Sequence, residues 1–156
     1  MSAARVAAAV AAQRSGGSGV PGVPGVSGVP GADGAAPIVL DSSCWLEFFA
    51  DTDRADTFAP AVHAVDLLVV PVLTVYEVVK KLAREAGDEV ASAALSLMQR
   101  GRVVPIDIHL VLSAAVNGLP MADSLIYATA QQHQAVLWTQ DAHFDGLPGV
   151  RYFAKP

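Results

Sequence analysis

The sequence predicts a three-layer α/β/α sandwich around a central, mostly parallel sheet of four to five strands, and three observations carry that reading. Short apolar runs such as Ile38-Val39-Leu40 and Ala135 to Trp138 have the length and composition of strands buried on both faces. Segments of helical period separate these runs, so consecutive strands need right-handed crossover connections and lie parallel. The composition, 53% hydrophobic and 16% charged over 156 residues, supplies one core without disulfides. The lone Cys44 can form no internal bridge, and no Cys or His pair sits at zinc spacing. A secreted disulfide scaffold and a zinc finger are thereby excluded, and a cytoplasmic protein is expected.

The chain divides near Pro37. Residues 1–37 hold 8 of the 13 glycines and 4 of the 10 prolines, with Gly-Val-Pro and Gly-Val-Ser units repeating between Gly16 and Gly34. Glycine is costly to order and proline lacks an N–H donor, so this segment predicts a disordered, low-complexity tail. Met1 to Arg14 is alanine-rich, with two arginines and no acid, a loose likeness to a targeting peptide. No stretch reaches the ~18 apolar residues of a membrane span, and no membrane partner is expected. The working domain is residues 38–156.

Within it, Ile38 to Leu40 predicts the first strand, which ends on Asp41, and Ser42 or Ser43 caps a short helix containing Trp45, Leu46, Phe48 and Phe49. A second helix over Ala55 to Val65 precedes the strand Leu67 to Val70, which Pro71 closes. Thr74 is a good N-cap for a helix through Ala86, with Glu77 completing a capping box and Gly87 stopping it. The next helix starts near Asp88 with Val90, Ala94, Leu97 and Met98 on one face, and Gly101 ends it. Arg102 to Ile106 is the third strand, Asp107 caps a helix ending before Gly118, and Pro120 opens a helix over Met121 to His133. Ala135 to Trp138 and Val150 to Phe153 complete the sheet.

Ligands of such sheets bind beyond the carboxyl ends of the strands, where strand order reverses. Asp41 and Asp141 both stand there, and each also has a purely structural reading. Asp41 is a good helix cap, Glu77 fits the capping box, Asp123 gains from a helix dipole, and Asp141 suits a turn. Taken jointly they ask for more. Several carboxylates close together remain ionised only beside a cation, and an all-oxygen set suits Mg²⁺ or Mn²⁺, not zinc. The net charge of −5 argues against bulk electrostatic binding of nucleic acid, yet it leaves room for a protein that meets it through bound cations.

The ordered set Ile38-Val39-Leu40-Asp41-Ser42-Ser43-Cys44-Trp45-Leu46, Thr74-Val75-Tyr76-Glu77, Gly118 to Ala130 and Thr139-Gln140-Asp141-Ala142-His143-Phe144 resembles the PIN-domain ribonucleases, and among them the VapC toxins of type II toxin–antitoxin systems. The likeness runs from residue 38 to 153, and it leaves the first 37 residues without a counterpart. It implies a metal-dependent endoribonuclease with Asp41, Glu77, Asp123 and Asp141 as the catalytic, Mg²⁺- or Mn²⁺-holding acids. Ser42 or Thr139 would orient a carboxylate or water, with Asp145 as an additional outer acid against a reading as an ordinary turn residue. It further implies an RNA substrate, a homodimer and a small cognate antitoxin. Lys80, Lys81 and Arg84 are a solvated helix face or a contact to RNA phosphates. His143 is read as peripheral, with an approach to RNA or metal as the lesser alternative. His63, His109 and His133 are expected on helix surfaces or ends. The rival reading is a non-catalytic PIN-like protein-interaction module in which the acids are only caps.

Overall fold

The computed structural model describes Arg5, Val6, Ala8 and residues 34–156. The expected tail over 1–37 therefore falls almost wholly outside the described residues. Of that segment, Arg5, Val6 and Ala8 are helical, Val6 is buried, and Arg5 pairs with Asp51 at 2.6 Å and Asp56 at 2.8 Å.

From residue 38 the chain runs β1 (Ile38–Leu40), α1 (Ser42–Ala50), α2 (Ala55–His63), β2 (Val69–Pro71), α3 (Val72–Ala86), α4 (Asp88–Met98), β3 (Arg102–Val104), α5 (Ile108–Ala114), α6 (Met121–Gln132), β4 (Val136–Thr139), a 3₁₀ turn (Ala142–Phe144) and β5 (Val150–Tyr152). Every strand pair is parallel, as the crossover argument requires: β1 with β4, β4 with β5, and β2 with β3. The sheet is less continuous than expected. A three-stranded β1-β4-β5 sheet and a two-stranded β2-β3 sheet meet through a single bridge, Ile38 to Leu68, where the Ile38 N–H donates to the Leu67 carbonyl at 2.8 Å. The spatial order is then β3-β2-β1-β4-β5, and the direction of winding reverses between β1 and β4.

Alternation along these short strands builds the layers. Leu40, Leu68 and Val70 face one way into a core with Trp45, Phe48, Phe58, Val78, Leu82 and Met98 from α1 to α4. Val39, Val69, Val104 and Leu137 face the other way onto Ile126, Tyr127 and Ala130 of α6. Helix α5 rides outside α6 through Leu110, Ala114 and Ala128. Gly101 lets β3 come close: a Cβ there would lie 2.9 Å from the Leu68 Cβ and 3.0 Å from the Val70 Cγ2.

Two helix starts differ from expectation in ways that matter for function. Asp41, not a serine, takes the N-cap position of α1. Helix α3 begins at Val72, with Pro71 as its N-cap, so Thr74 lies buried inside the first turn and its hydroxyl has no partner among the described residues. Pro71 holds φ at −60° as the last residue of β2, which turns the chain into the helix three residues early. The capping box that could have occupied the Glu77 carboxylate is not formed.

Candidate metal centre

Asp41 is fixed first by its backbone. Its N–H donates to the Trp138 carbonyl at 2.9 Å, which extends the β1–β4 ladder one residue past the strand and aims the side chain beyond the sheet edge. The carboxylate is then held from three sides. Oδ1 accepts from the Ser42 N–H at 2.8 Å, and Oδ2 accepts from the Thr139 hydroxyl at 2.9 Å and the Ser43 hydroxyl at 3.2 Å. Burial pushes this carboxyl above its ordinary range, the donors from Thr139, Ser42 and Ser43 pull it back, and repulsion from Asp141 adds to the rise.

Thr139, the last residue of β4, also accepts the Asp141 N–H at 3.0 Å. One buried hydroxyl thus links the Asp41 side chain to the Asp141 backbone and sets the spacing of the two strand ends. Asp141 caps the 3₁₀ turn, its Oδ1 accepting the His143 N–H at 2.9 Å. Asp123 enters from the first turn of α6, where a carboxylate is favoured by the helix dipole. Burial raises its carboxyl, and repulsion from Asp141 and Asp41 raises it further, while His143 opposes the shift.

Glu77 reaches the same place from α3. One of its oxygens, Oε1, is buried with no hydrogen-bond partner among the described residues. Its carboxyl is pushed from 4.5 up to about 7, first by burial and then by the charges of Asp41 and Asp123. An acid left without a donor and beside other acids is in the condition that a cation relieves.

Asp41, Glu77, Asp123 and Asp141 line one cleft of about 370 Å³ at the β1/β4 switch point, with Ser42, Ser43 and Lys155 on its walls. Thr139 is fully buried behind Asp41 and supports it without lining the cleft. Asp145 stands exposed at the end of the 3₁₀ turn, outside the cleft. Two participants were not legible as such, and a third only as a lesser alternative. Ser43 was read only as a cap, Lys155 arrives through the course of the chain after β5, and the His143 Nδ1 lies 3.2 Å from Asp141 Oδ1 and 3.3 Å from Asp123 Oδ2. The spacing of Asp141 and His143 on one short turn was the available signal for the last.

The donor set fits a hard divalent cation. It consists of carboxylates with raised proton affinity, one of them bearing a buried orphan oxygen, in a cleft with room for water.

The PIN domain family model matches residues 38–150. No curated protein matches at the level of sequence. Among solved structures, a toxin–antitoxin complex from Klebsiella pneumoniae is similar at a TM-score of 0.65 and 21% identity, covering 78% of this chain and 100% of that one. VapC20 of Mycobacterium tuberculosis, described as a sarcin–ricin loop cleaving toxin, is similar at 0.60 and 18% identity, covering 71% of this chain and 95% of its own. VapBC2 of Rickettsia felis, bound to a promoter DNA fragment, is similar at 0.57 and 13% identity, covering 75% and 97%. At such identities these likenesses concern the fold.

Proposed function

The chain belongs to the PIN-domain family, and from that premise we propose that it is a metal-dependent endoribonuclease that acts as the toxin of a type II toxin–antitoxin pair. The observation that carries the reading is the convergence of four carboxylates at the switch point with no structural task that accounts for all of them. Glu77 is the sharpest case, since the capping box that would have employed it is not formed.

Asp41, Glu77, Asp123 and Asp141 would hold Mg²⁺ or Mn²⁺. Such an ion, when bound, polarises a phosphodiester oxygen and lowers the pKa of water. The chain's own residues do the rest. Thr139, Ser43 and the Ser42 N–H hold Asp41 in one orientation and favour its ionised form, against the burial that opposes it. Beyond Glu77, Tyr76, Lys80, Lys81 and Arg84 line a groove of about 290 Å³ that continues from the acids. Lysine and arginine there suit RNA phosphates, and the exposed Tyr76 ring offers a base a stacking surface. An acidic site flanked by cations meets a polyanion without bulk positive charge. Single-stranded loops, whose bases are free to splay, suit a cleft of this size.

The antitoxin partner is supported by solved neighbours that are themselves toxin–antitoxin complexes. A homodimer is supported by an apolar patch at α5 and the chain after it, where Ile108, Leu112, Val116 and Met121 are all exposed, Val116 at 84%. Among the described residues no helix is long and apolar enough to cross a membrane. That exposed patch also favours the second reading, a binding module without catalysis, and Asp41→Asn separates the two. The nuclease reading expects this variant to fold and to lose cleavage of structured RNA by at least about 100-fold, the scale of losing a group that stabilises developing charge. Cleavage equal to the parent protein would remove Asp41 from the site.

A further inference from the structure

We infer that His143 is a nitrogen ligand of the ion in this cleft, so that the site is a mixed nitrogen and oxygen set that selects a transition ion such as Mn²⁺ over Mg²⁺. The inference rests on the reading of the cleft as a divalent-metal site and goes beyond it in the ligand and the selectivity it names. Position carries the case. The imidazole belongs to the 3₁₀ turn capped by Asp141, where the His143 N–H bonds the Asp141 Oδ1 at 2.9 Å, so the acid and the ring are held on one short rigid element. Phe144, fully buried, ties that element to α6 by a tilted contact with Tyr127 at 6.3 Å between ring centres. Helix α6 carries Asp123. The two acids and the ring are thus braced against each other by packing outside the cleft.

The outcome is an Nδ1 atom nearly equidistant from the two carboxylates, 3.2 Å from Asp141 Oδ1 and 3.3 Å from Asp123 Oδ2. All three atoms lie within 4.8 Å of one another. In octahedral coordination with bonds of about 2.1 Å, neighbouring ligand atoms lie about 3 Å apart, so this spacing needs little adjustment. A neutral imidazole also adds a donor without a further negative charge, which a site already crowded with carboxylates could ill accommodate. Mg²⁺ prefers oxygen and retains its waters, whereas transition ions accept imidazole readily.

Pulsed electron paramagnetic resonance of Mn²⁺ bound to the full chain tests this directly. The expected result is a histidine ¹⁴N coupling that shifts on ¹⁵N-histidine labelling of the unmutated protein and disappears in His143→Ala. Calorimetry of the same pair should show Mn²⁺ affinity reduced roughly tenfold by His143→Ala and Mg²⁺ affinity changed by less than about threefold, on the scale seen when a group supporting a metal site is removed. Bound Mn²⁺ with no histidine nitrogen coupling would overturn the assignment of His143 and leave the acidic site standing. Failure of Mn²⁺ to bind at all would overturn both.

Discussion

Leu40 and Asp41 are neighbours in the chain, 1% and 5% exposed, and they begin two regions with opposite ways of tolerating burial. Leu40 enters the core beneath α1 to α4, where Trp45 stacks on Phe49 at 5.7 Å between ring centres and Phe58 meets Phe153 edge-on at 5.1 Å. That region is held by contact, and the Trp45 indole N–H that it leaves without a partner among the described residues is a neutral donor. Asp41 enters the cleft, where each carboxylate needs a donor or a counter-charge and the donors are rationed: Asp41 has Thr139, Ser42 and Ser43, while Glu77 Oε1 has none among the described residues. The difference teaches that low exposure by itself says little about role. The apolar region leaves a neutral donor unpaired, whereas the cleft gathers carboxylates with too few donors and with Lys155 as the single lysine among the described residues that line it, which is the mark of a place built for something else to bind.

The contrast can be broken from either side. Phe58→Ala should have the largest effect on stability, a loss of about 3–5 kcal/mol in chemical denaturation, because a fully buried ring leaves a cavity that its neighbours fill poorly. A loss near zero would mean that the core beneath α2 is loosely packed. Thr139→Val removes one hydroxyl that serves both Asp41 and the Asp141 backbone, and it should lower stability at pH 8 by about 1–3 kcal/mol in the absence of metal. An unchanged midpoint would show that water replaces the hydroxyl and that the two strand ends are not coupled through it.

Glu77→Gln should act in the opposite direction and by less. The Glu77 carboxyl is raised from 4.5 to about 7, so the folded chain binds this proton more tightly than the unfolded chain does. Its contribution is therefore fully present below the unfolded value and is lost as pH rises through about 7. Replacing it by the neutral amide should raise the metal-free thermal midpoint at pH 8 by about 2–4 °C, after allowing for solvent screening of a half-buried group, with no gain at pH 4. Equal midpoints at both pH values would place Glu77 outside the repulsive cluster.

The two regions also differed in how much of them could be read beforehand. Strand runs such as Ile38-Val39-Leu40 announce the core because apolar length and β-branching are local properties, and the crossover rule then orders the strands in parallel. Asp41 and Asp141 were legible through their places at strand ends, and Glu77 and Asp123, both on helices, through the order of the four motifs. The start of α3 was not, because Thr74 and Glu77 fit a capping box as well as many true caps do, and only Pro71, already committed to the end of β2, decides between the two registers. Nor could the split of the sheet be foreseen, since it depends on how far pairing continues past the Ile38–Leu68 bridge. The burial of Val6 among the residues of α1 and α2 likewise depends on tertiary contacts, which no local pattern in an alanine-rich segment reports.

The central claim, that the cleft is an incomplete site awaiting a divalent cation, is tested most directly by calorimetric titration of Mn²⁺ into the metal-free chain and into Asp41→Asn at pH 7.5. Saturable binding is expected, with partial release of a proton from the Glu77 carboxyl, which is raised to about 7, and at least about tenfold weaker binding in the variant. No heat of binding, or the same affinity in both proteins, would contradict it.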